Sequence, residues 1–276
     1  MDIAYYNGRF SSVSEARIPL TDRVLFFGDG IYDVAIGKCG KIYKCAEHVR
    51  RFFRNASALS LEPGLSEDEL CDLLYECIGR SGCEDFFLYF QLTGRCDERT
   101  HAYRTEDGSN LLITVKPFSL PEEVEARLIF YPDLRHRLCN VKTLNLLGAV
   151  LAASAAESVG ADEAILVRDG YVTECAHSNI AIITDGVLRT PPLDEKILPG
   201  ITRASLLSLC KKVGIPYNEC YLTPDDVWCA DDVLILSTTK LVRRATHIDG
   251  RRLNKKMTKE CADIIANMRK DFLEFC

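Results

Sequence analysis

The sequence predicts an α+β fold built in two parts, and three observations carry that expectation. Runs rich in β-formers mix with amphipathic helical runs in no regular order. No GxGxxG segment or steady strand–helix–strand alternation marks a doubly wound parallel sheet. A polar stretch carrying two prolines, Pro117-Phe118-Ser119-Leu120-Pro121-Glu122-Glu123, interrupts the chain near its middle and reads as a linker. The expected division is a smaller α+β domain over residues 1–118, a linker over 119–123 and a larger domain over 124–276.

In the first part, Ile31 to Ile36 and Lys41 to Lys44 read as a hairpin closed by Cys39-Gly40. From Ala46 to Leu61, apolar Val49, Phe52, Phe53, Ala56 and Leu59 recur at helical spacing, with Glu47, Arg50, Arg51 and Arg54 on the remaining faces. Ser66 with Glu69 three residues on forms a capping box that starts a second helix, running to about Arg80. Phe86 to Thr93 is a continuous apolar and aromatic strand, followed by a charged loop from Arg95 to Ser109 and a strand from Leu111 to Lys116. In the second part, strands are expected near Arg127 to Tyr131, Glu163 to Val167, Asn179 to Ile183 and Val233 to Ser237. Helices are expected near Leu146 to Ser158 and Thr202 to Val213. Asp169-Gly170, Asp185-Gly186 and Asp249-Gly250 lie between strand-like runs as hairpin turns.

Composition narrows the function classes. A formal charge of −6 over 276 residues, with no cluster of Lys or Arg, leaves no positive field for nucleic acid. No run of about 18 apolar residues is free of charges or helix breakers, and the start is neither basic nor apolar, so a soluble cytoplasmic protein is expected, with no membrane partner. The 13 cysteines are odd in number and show no CxxC spacing, which fits reduced thiols serving as small hydrophobes.

Four places carry candidate chemistry. Lys142 is the only charge between Arg137 and Glu157; such surroundings strip its hydration and favour a neutral, nucleophilic amine. Taken alone, that segment fits a strand-end lysine snorkelling to water better. Glu174 is the one carboxylate between Asp169 and Asp185 and calls for a partner, which a protonated ring nitrogen would supply; taken singly, a helix-capping or surface glutamate fits it better. Leu198-Pro199-Gly200-Ile201-Thr202-Arg203 opens a helix whose first amides, with the Thr202 hydroxyl, suit an anion; Thr202 as a simple N-cap is the alternative. Ser237-Thr238-Thr239 closes a strand with three more hydroxyls, a pattern also common at plain β-edges.

Together these segments say more than each does singly. Val141-Lys142-Thr143-Leu144-Asn145-Leu146-Leu147-Gly148-Ala149-Val150-Leu151-Ala152 resembles the cofactor-lysine segment of the fold-type IV pyridoxal-phosphate (PLP) aminotransferases, and most of all that of the bacterial D-amino-acid aminotransferases. The resemblance spans nearly the whole chain. It takes in Phe27-Gly28-Asp29-Gly30-Ile31-Tyr32, Glu47-His48-Val49-Arg50-Arg51, Arg99-Thr100-His101, Val172-Thr173-Glu174, Gly200-Ile201-Thr202-Arg203 and Ser237-Thr238-Thr239, in family order. It implies that Lys142 carries the cofactor as a Schiff base and serves as general acid and base, and that Glu174 partners the pyridine nitrogen. It implies further that Arg51, Ile201, Thr202, Ser237 and Thr238 hold the phosphate and that Leu198 packs on the ring. By the same resemblance Tyr32, Arg99 and His101 grip the substrate carboxylate, with Arg99 and His101 supplied by the neighbouring subunit of a homodimer. The implied reaction is transamination between a D-amino acid of the D-alanine or D-glutamate type and a 2-oxo acid.

The chain also departs from the family pattern. Cys175-Ala176-His177-Ser178 replaces a Gly-Ser-Ser-Ser run, which puts His177 near the expected cofactor contacts. Asp33 stands where glutamate is common, and Lys240, Arg243 and Arg244 make the strand after Thr239 basic. An L-branched-chain aminotransferase and an aminodeoxychorismate-type lyase share the lysine and the glutamate; Arg99-Thr100-His101 favours the D-amino-acid enzymes over both. A protein that only stores the cofactor is disfavoured by the intact Lys142 and Glu174.

Overall fold

The computed structural model describes residues 2–96, 98–102, 108–253 and 255–275. Its contacts divide the chain into two units, one of Met1–Ser119 with Val141–Asn145, the other of Leu120–Asn140 with Leu146–Phe275. The short segment around Lys142 thus groups with the first unit, whereas the sequence reading places it in the larger second part.

The first unit runs β1 (Ile3–Tyr6), β2 (Arg9–Ser12), α1 (Val24–Phe27), β3 (Gly30–Lys38), β4 (Lys41–Ile42), α2 (Cys45–Ala58), α3 (Glu67–Ser81), β5 (Phe86–Gly94) and β6 (Ser109–Pro117). Its strands form one antiparallel sheet in the order β2-β1-β6-β5-β3-β4. The continuous apolar run of β5 still obeys the twofold period of a strand: Phe86, Leu88, Phe90 and Leu92 are fully buried, while Phe87, Tyr89 and Gln91 are half-buried. The buried set packs with Val49 and Phe52 of α2 and Leu70 and Leu74 of α3. Each such side chain contributes roughly 1.5–3 kcal/mol by leaving water. The capping box at Ser66 is complete, since its hydroxyl accepts from the Glu69 amide and the Glu69 carboxylate accepts from the Ser66 amide. The β3–β4 turn has φ of 50° at Cys39 and 72° at Gly40. β4 is shorter than the sequence suggests, because Lys44 enters the left-handed region (φ 54°) to start α2.

The second unit runs β7 (Glu125–Pro132), α4 (Leu147–Ser158), β8 (Glu163–Arg168), β9 (Tyr171–Cys175), β10 (Asn179–Thr184), β11 (Val187–Thr190), α5 (Ile201–Val213), β12 (Tyr217–Glu219), α6 (Pro224–Cys229), β13 (Asp232–Ser237), β14 (Leu241–Ile248), β15 (Arg251–Arg252) and α7 (Lys259–Leu273). The sheet follows β12-β11-β10-β13-β14-β7-β8-β9, with β15 paired to β14. It is mixed: β11–β12, β14–β7 and β7–β8 are parallel, and the remaining pairs antiparallel. The α+β class expected from sequence is the class observed. The sheet path nearly closes on itself, for the Val172 amide of β9 donates to the Leu222 carbonyl just past β12 (2.8 Å). The basic strand after Thr239 is β14, and its arginines are spent internally. Arg243 pairs with Asp162 (3.1 Å) and Arg244 with the fully buried Asp232. Among the described residues, no helix is long and apolar enough to cross a membrane.

Candidate active site

In the first unit the site begins with an open strand edge. β4 pairs only with Gly37 and Lys38 of the nine-residue β3, which leaves the edge of its first residues free for another segment. Val141–Asn145 fills it: the Tyr32 amide donates to the Lys142 carbonyl (3.0 Å), and the Leu144 amide to the Gly30 carbonyl (2.9 Å). Asn145 anchors the end of the segment by donating its side-chain amide to the Gly28 carbonyl (2.9 Å). This pairing sets the half-buried Lys142 beside Tyr32, with Nζ 4.4 Å from the ring centroid. Tyr32 in turn stacks on Tyr89 (centroids 5.6 Å apart), whose hydroxyl donates to Gln91 (2.7 Å).

One residue on, strand alternation turns Asp33 to the other face, toward α2. There Arg51 holds it with two hydrogen bonds, from Nε to Oδ2 (2.8 Å) and from Nη2 to Oδ1 (2.7 Å). His48 Nδ1 lies 2.8 Å from Oδ1, and an ionised carboxylate only accepts, so this ring nitrogen carries the proton. Burial pushes the Asp33 carboxyl upward, but the adjacent Arg51 charge, with its hydrogen bonds and those of His48, outweighs it and holds Asp33 well below the usual range. Burial is also the largest influence on His48, and despite Asp33 it holds the imidazole below its ordinary value. The Arg51 predicted from sequence to meet phosphate is therefore oriented by Asp33. Its bidentate grip uses two of the five N–H groups that a guanidinium possesses.

Arg99 and His101 are exposed and gather at Phe27, the last residue of α1. The Arg99 guanidinium carbon lies 5.4 Å and the His101 ring centre 5.3 Å from the Phe27 ring centre. Tyr103 to Asp107 of the charged loop lie outside the described residues, as does Asp97.

In the second unit the centre is Glu174 on β9, a buried carboxylate. Its Oε1 pairs closely with Arg135, its Oε2 accepts from Asn179 Nδ2 (2.8 Å), and the Leu198 amide points at both oxygens (3.3 and 3.4 Å). Arg135 is held on its other side by Asp133, from Nε to Oδ1 and from Nη2 to Oδ2, both 2.9 Å, and Arg168 sits 3.0 Å from Asp133. Burial would lower the Arg135 value, but its bonds to Asp133 and the Glu174 charge raise it further above an already high one, so it stays charged. Neither Arg135 nor Asn179 is given a role by the sequence reading. Asn179 immediately follows the Glu174 run, whereas Arg135 lies 39 residues from its partner, with no local signal. Gly148 makes room for it, since a Cβ at that position would stand 2.8 Å from the Arg135 amide nitrogen.

Asn179 Nδ2 also donates to the Leu198 carbonyl (2.9 Å), tying the start of β10 to the approach of α5. The register pairs Asn179 with Leu236, so Ser237 and Thr238 follow at the same end of the sheet. α5 begins at Ile201 after Gly200, and no side chain caps it. Thr202, offered as a possible N-cap, lies inside the helix. Gly200 is required by close approach, because a Cβ there would fall 1.9 Å from Asn179 Oδ1. His177 is half-exposed and turned to Glu163 (3.0 Å), which also accepts from Ser178 (2.8 Å).

The residues predicted from sequence therefore divide between the units. Lys142, Tyr32, Arg51, Arg99 and His101 belong to the first, and Glu174, Leu198, Ile201, Thr202, Ser237 and Thr238 to the second. The second set fits a phosphorylated pyridine. An uncapped helix start with neighbouring hydroxyls is a donor set for a phosphate, and a buried carboxylate kept ionic by a fixed arginine is an acceptor for a ring N–H.

Comparison with known proteins agrees. The chain is 36% identical over 248 residues to the D-alanine aminotransferase of Bacillus licheniformis, covering 89% of this chain and 88% of that protein. It is 36% identical over 250 residues to that of Listeria monocytogenes serotype 4b (strain F2365), covering 88% and 86%. The crystal structure of the branched-chain aminotransferase from the thermophilic archaeon Thermoproteus uzoniensis with norvaline superposes with a TM-score of 0.90 at 24% identity, over 98% of this chain and 94% of that one, a likeness of fold. Residues 30–248 match the family described as amino-transferase class IV, whose cofactor is PLP, and the chain belongs to that family.

Proposed function

We propose that the protein is a PLP-dependent aminotransferase moving an amino group between a D-amino acid of the D-alanine or D-glutamate type and a 2-oxo acid. The observation that carries the reading is the pairing of Val141–Asn145 with β3, which sets Lys142 Nζ against Tyr32 at the heart of the segment most like the family's. The identity to D-alanine aminotransferases over most of the chain supports the D-amino-acid class. When bound, PLP supplies an aldehyde to take up the amino group and a pyridine ring to withdraw electrons from the substrate α-carbon. Lys142 is assigned to hold the cofactor and to move the α-proton of the substrate. Glu174 is assigned to accept the proton-bearing ring nitrogen, steadied by Arg135 and Asn179. The amides of Ile201 and Thr202, the hydroxyls of Thr202, Ser237 and Thr238, and Arg51 are assigned to the phosphate, and Leu198 to the ring face. Tyr32, Arg99 and His101 are assigned to the substrate carboxylate.

In this reading the working form is a homodimer in the cytoplasm, with Arg99 and His101 serving the neighbouring subunit's site. The outward apolar residues Leu147, Val150 and Leu151 of α4, respectively 73%, 52% and 45% exposed, support a face that a second copy covers. The 13 cysteines and the absence of CxxC spacing support a reducing compartment.

Incubation with PLP, D-alanine and 2-oxoglutarate is expected to yield pyruvate and D-glutamate in equal amounts. Borohydride treatment of the PLP-loaded protein is expected to label Lys142, and Lys142→Ala to abolish the label and slow turnover by at least ~10²–10⁴-fold. Pyruvate formed without any 2-oxo acid, accompanied by ammonia, would overturn transamination, and labelling of Lys116 or Lys240 would overturn the site.

A further inference from the structure

We infer that Arg23 is a positioning residue for substrate specificity, one that sets the Arg99-Thr100-His101 segment from behind. The inference rests on the reading of Arg99 and His101 as the substrate carboxylate grip. Arg23 sits at the start of α1 and is buried, its side chain only 4% exposed. Its Nε donates to Asp29 Oδ2 (2.7 Å), its Nη1 to the Thr100 carbonyl (2.6 Å) and its Nη2 to the His101 carbonyl (3.2 Å). Exposed loop carbonyls ordinarily bind water. Here two consecutive ones converge on a single buried guanidinium, which fixes the peptide plane between them and so the direction in which His101 leaves the chain.

The same guanidinium lies 4.6 Å from the Phe27 ring centre, and the Arg99 guanidinium (5.4 Å) and the His101 ring (5.3 Å) meet that ring too. Arg23 thus reaches the segment by two routes, through its carbonyls and through the aromatic ring on which both side chains lean. Its base is rigid as well. Asp29, which orients Nε, accepts through its own carbonyl from the Gly94 amide at the end of β5 (3.0 Å). The neighbouring Asp22, 1% exposed, accepts from Thr93 (3.0 Å), Asn110 (3.1 Å) and the Val24 amide (3.0 Å), locking α1 to the strand ends that flank the loop. A lysine could keep the charge, but a single ammonium on a flexible stem does not reproduce a planar fork spanning Asp29 and two carbonyls.

The test is steady-state kinetics of the PLP-loaded enzyme with D-alanine. Arg23→Lys and Arg23→Met are each expected to raise the KM for D-alanine about tenfold while kcat changes by less than about threefold. PLP retention and the thermal unfolding midpoint serve as checks on folding, and Phe27→Leu is a second variant, expected to move KM in the same direction by a smaller factor. In an Arg99→Ala/His101→Ala background, Arg23→Lys should add no further rise, because the side chains that it directs are gone. A full and independent rise in that background, an unchanged KM in the single variants, or full rescue by lysine would overturn the inference. Should Arg99→Ala and His101→Ala themselves leave the D-alanine KM unchanged, the carboxylate grip is misassigned, and Arg23 loses its role with it.

Discussion

Two carboxylates, each gripped by an arginine, show how differently the two units use the same chemistry. Asp33 has no exposed side-chain surface, and its oxygens are taken up by Arg51, His48 and the Val34 amide. Everything around it points inward, so its work is to hold α2 against β3 and to aim Arg51. Glu174 retains 6% exposure, and its arginine is anchored independently by Asp133, so Arg135 keeps its orientation whatever Glu174 does. The first pair is a closed clamp around a carboxylate with no exposed side-chain surface; the second is a carboxylate oriented by an arginine that has an anchor of its own. A buried acid–base pair by itself therefore says little about function. The distinction lies in how far the carboxylate is exposed and in which further groups orient it.

Substitutions can break this contrast. Asp33→Ala leaves Arg51 buried without its main partner and is expected to cost about 3–5 kcal/mol in stability, measured by denaturant unfolding. A loss below about 1 kcal/mol would show that the clamp is not closed. Glu174→Gln should behave in the opposite sense, with unfolding free energy within about 1 kcal/mol of the parent, since Asp133 still holds Arg135. Its kcat should fall about a hundredfold or more, because an amide is a poorer acceptor for the ring nitrogen. Near-normal turnover in that variant would assign the nitrogen to another group.

A smaller effect sharpens the comparison through pH. The folded-state value of His48 lies below its unfolded one, so folding favours the neutral ring. The stability this provides is fully present above about pH 6.5 and is lost as pH falls through the folded value. Asp33, also depressed, adds a loss that starts only below about pH 4. The thermal midpoint of the parent should accordingly decline on acidification below about pH 6.5, and His48→Gln, which can still donate to Asp33, should flatten that part of the profile. An unchanged profile in the variant would mean that other groups carry the decline.

Much of this was legible in the sequence wherever a local pattern carried it. The capping box at Ser66, the Asp-Gly turns, the continuous apolar and aromatic run of β5 and the helical spacing of α2 each need only neighbours in the chain. The Asn7-Gly8 turn between β1 and β2, with φ of 44° and 86°, and the spacing of Cys261, Ile264, Ile265, Met268 and Phe272 on α7 were equally local signals that the sequence reading passed over. α1 was beyond reach, for its four residues bury nothing and its place is set by Asp22 and Arg23. The site followed the same rule. Lys142 and Glu174 stand out as isolated charges, but Arg135 meets Glu174 only after the strands have assembled. The guanidinium of Arg23 likewise finds Thr100 and His101 across 77 and 78 residues. Long-range polar contacts leave no period in a sequence.

The most direct test of the account is the ratio of kcat/KM for D-alanine to that for L-leucine, measured on the same PLP-loaded preparation with 2-oxoglutarate as acceptor. The assignment of Tyr32, Arg99 and His101 predicts a ratio above about a hundred, since a carboxylate gripped on one fixed side leaves room for the side chain of one enantiomer only. A ratio below one would contradict it and make the chain an L-branched-chain aminotransferase on the same fold.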